Sequence, residues 1–556
     1  MSDAIQQLTG TPVVSGIAYG PVIWPGPRPE FVASTVELSD VDRVREVDRF
    51  SAAAADVAAK LRDRASASTG VAAEVLSATA SLAEDRGWLS AAGKLINAGS
   101  PAADAAVAAT KQFADLFTKL GGLMAERVTD LNDVRDRVLA ALTGSPEPGV
   151  PVPDSPSILF ADDLAPADTA GLDPQLVVAL VTRLGGPTSH TAIIARQLGI
   201  PCIVAVGDLA TIGTGTSVLV DGTAGTVDVE PEPAAARAAA THWQAQADLV
   251  AAWAGPGRTA DGIDVAVLAN VADGASARAA SSKPVAGIGL FRTELAFLDR
   301  AAAPTIAEQV TSYRGVFDAF SGLKVVIRTL DAGSDKPMKF VNSPEEANPA
   351  LGVRGNRIAG AQPELREAQL DAIASAAAAS DADVWVMAPM IATVAEAAEF
   401  AALARGRGLT AGVMIEVPAA ALLAPAILAE VDFVSIGTND LTQYTMAADR
   451  MSAELAALTD PWQPAVLSLV SMVAAAGRAA GKPVGVCGEA AADPLLACVL
   501  VGMGVTSLSS APVAAAAVGA RLGQVTMASC EDAARCALNT ADPTAARAAA
   551  SQALSG

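Results

Sequence analysis

The 556-residue chain carries 38 Lys and Arg against 60 Asp and Glu, a formal charge of −22, and 51% of its residues are hydrophobic. That length allows roughly two to four domains with sizeable cores, and the acidic balance argues against nucleic acid, whose phosphates need clustered Lys and Arg. The apolar runs are Ala-rich and broken by charge, so none reads as a membrane insertion. Residues 1–10 lack a basic stretch followed by an apolar one, and a cytoplasmic location is expected.

Thr11–Trp24 predicts two short strands around a glycine turn. After a Pro-rich break at 25–29 the pattern turns helical from about Leu38 to Leu142: a long amphipathic run to Arg64, then helices over 70–96, 101–120 and 122–142, punctuated by Gly70, Gly99 and Gly121. This is a helical bundle. A Pro-rich linker at 146–156 leads into alternating short strands and helices up to Glu230, with strands at Ser157–Phe160, Leu176–Val181, Cys202–Val206 and Ser217–Val220. The two N-terminal strands need a sheet to join, and this α/β segment supplies it. The bundle is then an insertion into a discontinuous domain. The predicted boundaries are 1–24 with 147–230 for the α/β domain, 25–146 for the bundle, 231–260 for a helical connector and 261–556 for a third domain. In that third domain apolar strands at 263–271, 286–291, 324–330, 384–391, 411–417, 432–437, 483–488 and 505–510, most of them separated by helix-length segments, predict a (β/α)8 barrel.

His190 is one of two histidines in the chain. Gly185, Gly186 and Pro187 break the chain before it, and Thr188 or Ser189 can cap a helix running to Leu198. His190 then lies in a first helical turn, where free N–H groups and the macrodipole stabilise an anion. A nucleophilic imidazole there suits a phosphoryl carrier; a capped surface histidine or a metal ligand is the alternative, although no ligand cluster stands nearby. His242, in the connector, has no such company. The five cysteines, Cys202, Cys487, Cys498, Cys530 and Cys536, show no CxxC pair or regular spacing and point to neither a disulfide framework nor a zinc site.

Barrel enzymes act at the C-terminal ends of their strands. Here those ends carry Arg292 and Glu294, Arg328 and Asp331, Glu416, Asn439 and Asp440, and Cys487 and Glu489, with Arg450 a short loop away. Forked guanidiniums suit phosphate and carboxylate oxygens, Glu416 and Asp440 are hard ligands suited to Mg²⁺, and Asn439 can donate to phosphoryl oxygens. Cys487 is open to two readings: an inert core thiol, or a proton donor to carbon beside an enolate.

Thr188–His190, Gly287–Glu294, Arg328–Lys336, Asn348–Arg354, Ser435–Tyr444 and Gly485–Glu489 resemble the motifs of the phosphoenolpyruvate-utilising enzymes. The resemblance spans nearly the whole chain and is nearest to the enzyme I branch. Pro187 stands where an arginine is common, Ser334 where a glycine is, and Gln463 where a histidine often precedes Pro464. The resemblance implies a swivelling phosphohistidine domain with an inserted helical bundle and a TIM barrel. It implies that His190 carries the phosphoryl group, that Arg292, Arg328, Asn439, Asp440 and Arg450 bind phosphoenolpyruvate, that Glu416 and Asp440 hold Mg²⁺, and that Cys487 protonates the enolate to give pyruvate. It further implies docking of the carrier protein HPr on the helical bundle, service to sugar transport, and a homodimer formed through the barrel. An ATP-using dikinase or synthase would need a nucleotide-binding domain for which the length leaves no room, and the nitrogen-system paralogue an extra sensory domain. A degenerate regulatory scaffold is at odds with the joint presence of His190, Cys487, Glu416 and Asp440.

Overall fold

A computed structural model describes residues 6–26, 29, 31–34, 38–67, 71–120, 122–164, 168, 172–187, 189–297, 300–333, 338–341 and 346–555. Gly70, Gly121, Thr188, Ser334 and Lys336, named above, lie outside the described residues. The chain forms two compact units, Met1–Gln246 and Ala247–Gly556, and the division falls inside the helix Pro233–Ala252.

In the first unit, β1 (Gln6–Thr9), β2 (Thr11–Val14), β3 (Ile17–Ile23), β4 (Ser157–Ala161), β5 (Val177–Thr182), β6 (Cys202–Val204), β7 (Ser217–Asp221) and β8 (Thr226–Val229) build one sheet in the order β1-β8-β7-β3-β4-β5-β6-β2. The N-terminal residues thus supply a central strand and both edges. β3 alternates half-buried and buried residues, whereas β4 is buried throughout, the mark of a strand covered on both faces. Phe160, Val181 and Val220 pack on one side of the sheet. Leu159, Leu180 and Cys202 pack on the other, where Ala195 of the helix His190–Leu198 joins them.

Between β3 and β4 the described residues form five helices, α1 (Asp40–Ala67), α2 (Val71–Ala83), α3 (Arg86–Asn97), α4 (Ala102–Leu120) and α5 (Gly122–Thr143). Their core joins Phe50, Leu61, Trp88 and Ile96 to many buried alanines, small side chains that let helices approach closely. The single span predicted at 70–96 is two helices, because Asp85 caps α3 by accepting from the Trp88 N–H. β1 and β8 went unpredicted: each has four residues, too few for a legible alternation.

The second unit is a closed barrel of eight parallel strands: β9 (Ala266–Val271), β10 (Gly287–Arg292), β11 (Lys324–Arg328), β12 (Asp383–Ala388), β13 (Thr410–Ile415), β14 (Phe433–Ile436), β15 (Val484–Val486) and β16 (Ser507–Ser510). The predicted (β/α)8 barrel is therefore present. Several predicted strands overran their C-terminal ends, since apolar residues beyond the last pairing, such as Ile391, are buried in the core that joins strands and helices. Inside the barrel, Leu290, Val326, Met387, Met414, Phe433 and Cys487 pack against one another. Among the described residues no helix is long and apolar enough to cross a membrane.

The bundle is tied to the sheet by a buried ion cluster. Arg137 of α5 is fully enclosed and reaches Asp133, Glu147 and Asp168, each at 2.8 Å. Burial opposes its charge, but the three carboxylates outweigh burial and hold its pKa above the ordinary arginine value. Removing one partner of such a cluster leaves uncompensated buried charge. Arg137→Met is expected to lower stability by about 3 kcal/mol in the first urea-unfolding transition; a loss below about 0.5 kcal/mol, the ordinary scale of a surface change, would contradict the cluster's structural role.

Candidate active site

The His190 segment follows from its local sequence. Gly185 takes a φ of +93°, turning the chain after β5, and a Cβ there would meet Ser189 Oγ at 3.3 Å. Ser189 caps the helix, its hydroxyl accepting from the Ala192 N–H at 3.3 Å, and Gly199, at φ +67°, ends it. His190 is therefore the first helical residue, where unpaired N–H groups favour an anion. From the last turn Arg196 donates to the Pro187 carbonyl at 2.7 Å and clamps the preceding loop. The neighbouring Thr191 is buried, and its hydroxyl has no partner among the described residues. His242 is exposed on the helix Pro233–Ala252.

The barrel unit holds a cavity of about 630 Å³ at the C-terminal ends of its strands. Its lining includes Arg292, Arg328, Glu416, Asn439, Asp440, Arg450 and Cys487, with Glu294 and Glu489; Asp331, also singled out from the sequence, lies behind this lining, paired with Arg328 and Arg354. Arg292 is exposed at the end of β10. Arg328, at the end of β11, is buried, paired with Glu294 and 3.2 Å from Asp331. Glu416 follows β13 and is fully buried; one oxygen accepts from the Met390 N–H at 2.6 Å, and the other has no partner among the described residues. Asn439 and Glu489 are cross-linked, the amide donating to the carboxylate at 3.2 Å and accepting from the Glu489 N–H at 2.9 Å. Arg450 donates to Asp440 at 3.4 Å.

Three residues without an assigned role complete the rim. Arg354, fully buried, reaches Asp331 at 3.0 Å, Asp440 at 3.1 Å and the Tyr444 hydroxyl at 3.3 Å. Glu294 and Asp331 are the carboxylates that hold Arg328. Their sequence signal was present, since all three stand in the quoted motifs, but their partners are distant in sequence. Gly437 and Gly488 are spatial necessities: a Cβ at Gly437 would lie 2.7 Å from the unpartnered Glu416 oxygen, and one at Gly488 would collide with Thr438 and Asn439.

The charges are strongly coupled. Burial, then the Asp440 and Asp331 carboxylates, push Glu416 up to about 8. Burial works against the Arg328 charge, but Glu294, Asp331 and Glu416 outweigh it and raise its pKa. Burial also pushes the Cys487 thiol up to about 11, although the Ser435 hydroxyl opposes the shift, so the thiol keeps its proton at neutral pH. Among the described residues no cluster of three or more His, Cys, Asp or Glu forms a ready-made metal cage. The Glu416–Asp440 pair lines the cavity, and one buried Glu416 oxygen has no partner among the described residues; this nevertheless fits Mg²⁺, which takes one or two protein carboxylates and completes its shell with water and substrate oxygens.

Comparison with known proteins identifies the family. Residues 247–527 match the PEP-binding domain of PEP-utilising enzymes, 153–225 the mobile domain and 9–127 the N-terminal domain. The chain is 47% identical over 554 residues to a phosphoenolpyruvate-protein phosphotransferase of Streptomyces coelicolor, covering 99% of each chain. It is 40% identical over 454 residues to one from Haloferax volcanii, covering 79% of each, and 37% identical over 435 residues to one from Staphylococcus carnosus, covering 75% of this chain and 76% of that one. The chain belongs to the phosphoenolpyruvate-protein phosphotransferase (enzyme I) family of PEP-utilising enzymes.

Proposed function

We propose that this chain passes the phosphoryl group of phosphoenolpyruvate through His190 to the histidine of the carrier protein HPr, releasing pyruvate, as the first component of a sugar phosphotransferase system. PEP-dependent phosphotransfer is the activity of the family; the intermediate, the carrier and the residue roles are the reading argued here. The observation that carries it is the convergence of Arg292, Arg328, Asn439, Asp440 and Arg450 on one cavity beside the unpartnered oxygen of Glu416.

In this reading the guanidiniums of Arg292, Arg328 and Arg450 and the Asn439 amide hold the phosphoryl and carboxylate oxygens of the substrate. Glu416 and Asp440 would hold Mg²⁺, which when bound supplies positive charge against the phosphoryl and enolate oxygens. An imidazole nitrogen of His190 attacks phosphorus as the bond to the enol oxygen breaks, and positioning with charge neutralisation supplies most of the acceleration. The enolate left behind takes a proton at its terminal carbon from Cys487, whose raised pKa keeps it an acid. The α/β domain (1–24 with 147–230) then turns from the barrel (261–556) on the connector (231–260), and HPr docks on the helical domain (25–146) to accept the group. A cytoplasmic homodimer associated through the barrel completes the proposal.

The direct test is labelling. Phosphoenolpyruvate carrying labelled phosphate should mark the chain in an acid-labile, base-stable form that His190→Ala abolishes and His242→Ala leaves intact; persistent label in the first variant would remove His190 from the mechanism. Cys487→Ser replaces the thiol by a far weaker acid, so pyruvate release should slow by about a hundredfold or more while phosphoenolpyruvate binding persists. Wild-type release would return Cys487 to the packing residues.

Glu416 gives a test without turnover. Its folded pKa lies above the unfolded 4.5, so the unfolded chain releases that proton first and stability contributed by protonated Glu416 is lost as pH rises from about 4.5 to 8. At pH 8 without divalent cation, Glu416→Gln should therefore melt at a higher temperature than wild type. The same variant should lose the upward shift that Mg²⁺ gives the wild-type melt. An unchanged Mg²⁺ shift would place the cation elsewhere.

A further inference from the structure

Behind the rim lies a chain of buried side chains that the mechanism does not use. Thr293, between Arg292 and Glu294, is fully buried, and its hydroxyl donates to the Arg328 carbonyl at 3.0 Å. The Gln369 amide, from the helix Pro363–Ala378, donates to that hydroxyl at 3.1 Å and to the Tyr313 hydroxyl at 3.0 Å. Its oxygen accepts from the Leu330 N–H at 2.8 Å, two residues beyond Arg328. Tyr313 in turn donates to Gln309 at 2.9 Å, whose amide donates to the Pro304 carbonyl at 3.1 Å. Gln309 and Gln369 are 5% and 4% exposed, so each of these bonds sits where an unmade one is costly.

One side chain, Gln369, thereby fixes two separate backbones: the end of β10 through Thr293, and the chain leaving β11 through Leu330. Those two ends carry Arg292 and Arg328. Arg328 also presents its Nε, and Glu294 one oxygen, buried without a partner among the described residues. Arms with open hydrogen-bonding capacity need a frame that sets their separation before an anion arrives.

We propose that Gln369, acting through Thr293 and Leu330, is a positioning residue that sets the spacing of the Arg292 and Arg328 arms for the substrate anion. Buried polar networks that contact no ligand often serve only the core. Here the network ends on the two backbones that bear the arms, and a loss of spacing changes ground-state binding before it changes the chemical step.

The test uses the full chain with Mg²⁺ and phosphoenolpyruvate. Gln369→Leu keeps the volume and removes the donors and acceptor; Thr293→Val removes only the relay hydroxyl and serves if the first variant does not fold. Each is expected to raise KM for phosphoenolpyruvate about tenfold with kcat within about twofold, and the double variant to resemble the worse single one, as members of one relay do. Folded variants with unchanged KM, or with kcat lowered at constant KM, overturn the inference. It rests on the proposed substrate site, so Arg292→Ala and Arg328→Gln are measured beside them. If those arginine variants leave KM unchanged, the site assignment is at fault; if they raise it and the Gln369 and Thr293 variants do not, only the positioning role falls.

Discussion

Two buried guanidiniums, Arg328 and Arg354, face four buried carboxylates, Glu294, Asp331, Glu416 and Asp440. This imbalance governs the barrel mouth. Each charge alone would be too costly to enclose, so the arginines and acids hold one another in place. The crowding of acids is felt most at Glu416, where burial and the Asp440 and Asp331 carboxylates raise the pKa to about 8; one oxygen accepts a backbone N–H and the other has no partner among the described residues. In the proposed reading, Mg²⁺ would meet the crowded Glu416 and Asp440 carboxylates, and the substrate anion would meet Arg292 and the open edge of Arg328.

The strand framework makes this crowding possible. Parallel barrel strands end at one rim, and their last residues face inward or upward without a choice of partner. Small residues then decide what fits: Gly437 and Gly488 leave the volume that the Glu416 oxygen, Thr438 and Asn439 occupy. Below them the interior is filled by Met387, Met414 and Phe433, so Cys487 sits on a hydrophobic floor, and that floor is why its thiol resists ionisation.

Much of this was legible in the sequence because strand runs, strand-end charges and motif spacing are local. The eight barrel strands could be read from their apolar runs, and the residues lining the cavity from their place at the ends of those runs. What stayed hidden is relational. Arg354 meets Asp440 across 86 residues of sequence, and Gln369 meets Thr293 across 76; a helix glutamine looks like any other until its neighbours are known. A cap at Thr188 or Ser189 before His190 was readable, since capping is local, and Ser189 is the residue that caps. The division of 70–96 into two helices was missed for a reason equally local: an Asp followed by a helical run was read through.

The inserted bundle enters and leaves the sheet at nearly the same point, because the Gly26 N–H donates to the Gly149 carbonyl at 2.8 Å. A segment whose two ends already touch places no demand on the length or shape of what lies between them. The helices could therefore be lengthened, exchanged or replaced by a short turn without moving β3 or β4. A lineage could in this way remodel the whole helical surface while leaving untouched the sheet beside which the His190 helix packs.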